Sequence, residues 1–202
     1  VRLNSDLNLH FSDRSILKYL YTPVHYLNVI ANIRKLFSNH KRIDILVFAA
    51  LAELRHYLGH PVPAWVIAAN VDNTILILDY ELWKMRKYGN INQVIIHEMV
   101  HVILGDYKVT VPLWLNEGLA QYLAGQLDEG VAQRKPLGAQ NIYELNYHHE
   151  GLYGLSGRIV QKLIARYGLQ TVISRLPQVA DYRGDALFGT ANIDDLLHDK
   201  AK

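Results

Sequence analysis

The stretch VIIHEMVHVILG, residues 94–105, places two histidines and a glutamate in a segment whose other nine residues are Val, Ile, Met, Leu or Gly. So apolar a run reads as a buried helix, where ionisable groups are costly unless something satisfies them. Residues four apart stand one above the other on a helical face, so His97 and His101 can direct their imidazoles to one point. Glu98 is turned by about 100° from His97, close enough to reach a water on an ion held there without becoming a ligand. Two imidazoles and a carboxylate in this HExxH order suit zinc hydrolysis, in which the ion acidifies a water and the glutamate takes its proton. The competing reading is two satisfied core histidines with a surface glutamate.

A catalytic zinc takes a third protein ligand and keeps a fourth position open. WLNEGLAQYL, residues 114–123, offers Glu117, an acidic residue in an otherwise mainly apolar helix. Fifteen residues lie between His101 and Glu117, enough for one helix to end around Gly105, Asp106 and Pro112 and a second to pack back. Gly118 and Ala120 are small, which favours close helix contact. For Glu117 taken alone, the competing reading is a solvent-facing helix residue.

Composition limits the alternatives. With 202 residues, half hydrophobic and a fifth charged, the chain reads as one globular domain able to bury a core. A net charge of +2 with scattered Lys and Arg gives no nucleic-acid footprint. The short cluster His40, Lys41, Arg42 reads as a solvated helix entrance. The chain has no cysteine, so any metal must be held by His, Asp or Glu. No apolar run approaches the roughly 18 residues of a membrane span. The start, VRLNSDLN, lacks an initiating Met and a signal-peptide pattern, which points to a trimmed, mature or excised form. The compartment stays open.

Along the chain, LNLHFS (7–12) alternates as a strand would. A helical pattern starts at Asp13 with ILKYLY and is interrupted by Pro23; further helices are expected over residues 24–37 and 43–58, the last ending at Gly59. In HPVPAWVIAANVDNTILILD (60–79), WVIAA and TILIL flank a polar turn and read as a hairpin. YELWKMRKYG reads as a short helix closed by Gly89. Asn90 or Asn92 then caps the HEMVH helix and Gly105 ends it, while Pro112 and Gly125 bracket the next. Residues 128–141 form a polar loop, and 151–168 an amphipathic helix. The class is α+β: a small mixed sheet, an HExxH helix and a mostly helical C-terminal part. A single domain over 1–202 is expected, with an upper part of roughly 1–105 and a lower part of 106–202.

HEMVH followed by WLNEGLAQYL resembles the gluzincin clan of zinc metallopeptidases, in which HExxH is followed by a Glu in an NExxA-type helix. WLNEGLA is especially similar to the peptidase MA-like group and the minigluzincins, and the tight match covers residues 97–121. The resemblance implies Zn2+ held by His97, His101 and Glu117, with Glu98 as general base and acid. It implies an upper-rim edge strand that binds substrate main chain, where NTILIL (73–78) stands; an interior strand pair is the alternative. It also implies an oxyanion donor in YHHEGLYGLSGRIVQKL, for which Tyr153 is the first candidate and His149 the next. Gln121 stands where some gluzincins place a carboxylate, which puts an orienting role for it in doubt, and Asp106 is explained equally well by a helix-terminal turn. No GxMEN-like segment precedes HEMVH, which favours endopeptidase action.

The expected activity is thus zinc-dependent hydrolysis of peptides or unfolded protein segments by a monomer, with no nucleic-acid partner and no membrane span. A prokaryotic, extracytoplasmic setting is slightly favoured over a cytoplasmic one. The rival is a catalytically silent or self-occluded zinc-binding or regulatory module. For that rival, the tail DDLLHDKAK would lie across the cleft through His198 or Asp199, although it reads more readily as a disordered solvated end. A purely structural helical protein is the third reading.

Overall fold

The computed structural model describes residues 9–11, 18–19, 23–85, 90–127, 142–149 and 151–198. The chain divides into two compact units, Val1–Ile103 and Leu104–Lys202.

In the first unit a mixed four-stranded sheet runs in the order β1-β2-β4-β3, with β1 at Leu9–Phe11, β2 at Ile43–Phe48, β3 at Ala68–Val71 and β4 at Thr74–Leu78. The first three in that order are parallel, and β3 runs antiparallel to β4. Helix α1 spans Pro23–Leu36, with proline at the position where its missing N–H costs nothing. The expectation that 43–58 is one helix is corrected. IDILVF is a strand with Ile43 and Ile45 fully buried, and helix α2 is confined to Leu51–Leu58. Its β-branched residues alternate at 43, 45 and 47, and partners on both sides, Leu9↔Ile43 and Asp44↔Thr74, override the helical spacing. His40, Lys41 and Arg42 are exposed as expected, but they lead into this strand rather than a helix. Gly59 adopts the left-handed conformation, φ 72°, that stops α2.

The hairpin is present, with Val71 opposite Thr74 across Asp72 and Asn73. The expectation that NTILIL is an edge strand is corrected: β4 has a neighbour on each side, and Ile75, Leu76, Ile77 and Leu78 are all buried. A continuous apolar run suits a strand covered on both faces. Among the described residues β3 is the edge on that side. After β4 the expected helix is a single 3-10 turn at Tyr80–Leu82, begun by the Asp79 carboxylate accepting from the Glu81 N–H. Trp83 then buries its ring and donates Nε1–H to the Leu78 carbonyl at 3.0 Å. The remainder of that expected helix, 86–89, lies outside the described residues, as do the loop 128–141 and all of the ILKYLY pattern except Lys18 and Tyr19, which form a 3-10 turn. Helix α3, Ile91–Gly105, carries the HEMVH motif.

The second unit is helical: α4 at Leu113–Ala124, α5 at Leu152–Tyr167, α6 at Leu169–Arg175 and α7 at Thr190–His198. Helices α4 and α5 pack closely because Gly118 has no side chain. A Cβ there would collide with the Ser156 carbonyl and with Val160. The expectation of a disordered tail is corrected as far as His198. Ile193 and Leu196 are buried, Lys162 Nζ on α5 donates to the Leu196 carbonyl at 2.6 Å, and Arg166 pairs with Asp195 at 2.6 Å. Residues 199–202, including Asp199, lie outside the described residues. Among the described residues no helix is long and apolar enough to cross a membrane.

Candidate metal centre

Helix α3 starts where its sequence can satisfy its own first amides. The Gln93 N–H donates to Asn90 Oδ1 at 3.0 Å, and the Asn90 N–H donates to Gln93 Oε1 at 3.2 Å, a reciprocal capping box. Of the two caps the sequence allowed, Asn90 is the one used, while Asn92 is buried inside the first turn. Ile91, Val94, Ile95, Met99, Val100 and Ile103 are buried and hold the helix in place. His97, Glu98 and His101 are only half-buried. The two imidazoles sit edge to face with centroids 4.6 Å apart, as the four-residue spacing requires.

Glu117 lies in the first half of α4, a helix entered at Pro112 and closed by Gly125 in the left-handed conformation. Its side chain is buried, at 2 % relative exposure. His97, His101 and Glu117 form a group whose ligating atoms all lie within 4.8 Å of one another. Two imidazole nitrogens and a carboxylate oxygen are a donor set that catalytic zinc accepts, and the absence of thiols from the chain leaves no softer competitor. The residues fit the ion.

Residues 65–150 match the family model of the peptidase family M1 domain. That stretch is less than half of the chain, but it holds the hairpin, HEMVH and Glu117 together, and M1 is a gluzincin-clan family of zinc metallopeptidases. Over those residues the chain is similar to that family. No curated protein matches the chain.

The other expected residues lie on α4, on α5, in the turn before α5 and just beyond α3. Tyr153 is the second residue of α5 and is exposed at 42 %, and its carbonyl accepts from Gln121 Nε2 at 3.0 Å. Gln121 also donates to the Glu117 carbonyl one turn earlier on its own helix, at 3.2 Å. The amide therefore ties α4 to the start of α5. His149 stands in the turn before α5, where its Nδ1 accepts from the Asn146 N–H at 3.0 Å. Asp106 is exposed just beyond the end of α3. Neither Tyr153 nor His149 belongs to the three-residue group.

Sequence reasoning missed Asn70. Its Nδ2 donates to Glu98 Oε2 at 3.0 Å, linking β3 to the glutamate of HEMVH. The available signal was an amide inside the apolar run WVIAANV, since Asn is depleted from strands.

Proposed function

We propose that the chain is a zinc-dependent metallopeptidase that cuts within peptides or unfolded protein segments. The observation that carries this reading is the convergence of His97, His101 and Glu117, with Glu98 adjacent to one ligand in sequence and half-buried. A zinc ion held by those three residues would supply Lewis acidity to the attacking water and the scissile carbonyl. Glu98 takes the proton from the water and delivers it to the leaving amine. Tyr153, with His149 as the alternative, donates to the developing oxyanion. Among the described residues β3 pairs only with β4, and an extended peptide would add to its outer main chain.

The test is zinc analysis and casein cleavage for the wild type and Glu98→Ala. Zinc at about one per chain in both, with chelator-sensitive cleavage only in the wild type, is the expected result. Zinc in both without cleavage by either would turn the reading to a zinc-binding module. No zinc in either would remove the site.

A further inference from the structure

Glu98 is not left to choose its own rotamer. Its Oε2 accepts a 3.0 Å hydrogen bond from Asn70 Nδ2, a contact that spans 28 residues of sequence. An ionised carboxylate can only accept, so Asn70 must turn its NH2 toward Glu98, and the partner itself decides which way the amide lies. Asn70 is mounted on a firm support. It sits in the middle of β3, opposite Ile75 of β4, and Ile75 is fully buried. The other residues of that strand, Ala68, Ala69 and Val71, are all apolar. The amide is thus the polar exception in its strand, and it is spent on Glu98.

We propose that Asn70 is a positioning residue for Glu98; this rests on the peptidase reading. A general base must meet its proton within about 2.6–3.2 Å, and a glutamate carboxylate swings on three torsions. With Oε2 held by a group anchored in the sheet, rotation of the carboxylate is arrested and Oε1 is the oxygen presented for proton transfer. The amide neither takes up nor releases a proton at ordinary pH, so the proton stays with Glu98. Asn70 acts through Glu98 and touches no reacting atom.

The test compares Asn70→Ala and Asn70→Asp with the wild type in the full chain, reading kcat and KM on a fluorogenic peptide derived from casein, zinc content and Tm. The aspartate keeps the shape of the side chain but loses the donor and sets a second carboxylate against Glu98. Positioning predicts that kcat falls by about ten- to a hundredfold in both variants, with KM little changed and zinc retained. A raised KM at unchanged kcat would assign Asn70 to substrate binding and overturn the role. Wild-type kcat in Asn70→Asp would show that only shape matters, with the same consequence.

A second measurement is independent of turnover. Asn70→Ala and Glu98→Ala should be non-additive in thermal stability, because each removes the same hydrogen bond. Strict additivity would overturn the contact itself. A zinc-loaded wild type that cleaves nothing would sink the peptidase reading and the positioning role with it, whereas a cleaving wild type with an indifferent Asn70→Asp sinks the positioning role alone.

Discussion

Asn90 and Gln93 exchange hydrogen bonds, side chain to backbone in each direction, at 3.0 and 3.2 Å, and so close the N-terminus of the helix that carries HEMVH. Four amides at a helix start lack intrahelical partners, and this box satisfies two positions at once. Asn90→Ala should therefore destabilise the protein by about 1 kcal/mol, read as a lower midpoint in urea with an unchanged slope. Asn90→Asp or Asn90→Ser should restore most of the loss, because either can accept from the same N–H. If the alanine variant is as stable as the wild type, the box contributes nothing to α3.

Gly118 follows Glu117 directly and faces the Ser156 carbonyl on α5 so closely that no side chain fits. Because the obstacle includes backbone, it cannot swing aside. Gly118→Ala should cost about 1–3 kcal/mol through forced separation of α4 from α5, even though alanine is the better helix former. Since α4 carries a ligand candidate, the variant should also lose zinc during dialysis more readily than the wild type. A variant that gains stability would mean that the two helices separate freely.

Asp185 is buried and gathers four hydrogen bonds, two from the Arg175 guanidinium at 2.9 and 2.6 Å and two from the Leu187 and Phe188 N–H groups at 2.8 and 3.1 Å. Burial by itself would raise its pKa, but the Arg175 and backbone hydrogen bonds outweigh it and hold the carboxyl below its ordinary value of 3.8. A depressed carboxylate adds stability that is present above its unfolded pKa and lost as pH falls through the folded one. The wild type should thus lose stability progressively below about pH 4, and Asp185→Asn should flatten that acid limb. At neutral pH, Asp185→Ala should cost about 2 kcal/mol, because two buried N–H groups lose their acceptor. Urea titrations at pH 3 and 7 read both effects; equal acid limbs in wild type and Asp185→Asn would remove the assignment.

Much of the site was legible because its signals are local. The spacing of His97, Glu98 and His101 follows from helix geometry alone, and Pro112 and Gly125 mark helix ends by backbone preferences that hold in any context, whereas Gly105 is simply the last residue of α3 and does not take the left-handed conformation. The turn at Asp72 and Asn73 was legible for the same reason. Residues 43–48 were misread because IDILVF carries apolar spacing compatible with either period, and the decision belongs to β1 and β4, its neighbours from distant parts of the chain. NTILIL was misplaced at the edge because a strand's own residues do not say how many neighbours it has. The tail was misread because DDLLHDKAK looks solvated until Leu196 finds α5.

By itself the sequence determined the donor types, their helical spacing and the α+β class, because those depend on side-chain chemistry and on short-range backbone geometry. Only the tertiary structure decided that β3 rather than β4 is the edge, that Asn70 reaches Glu98, and that Glu117 joins His97 and His101 within 4.8 Å. Those are meetings between residues 16 to 30 positions apart along the chain. They are settled by which apolar faces bury one another, a sum over the whole fold that no local window contains.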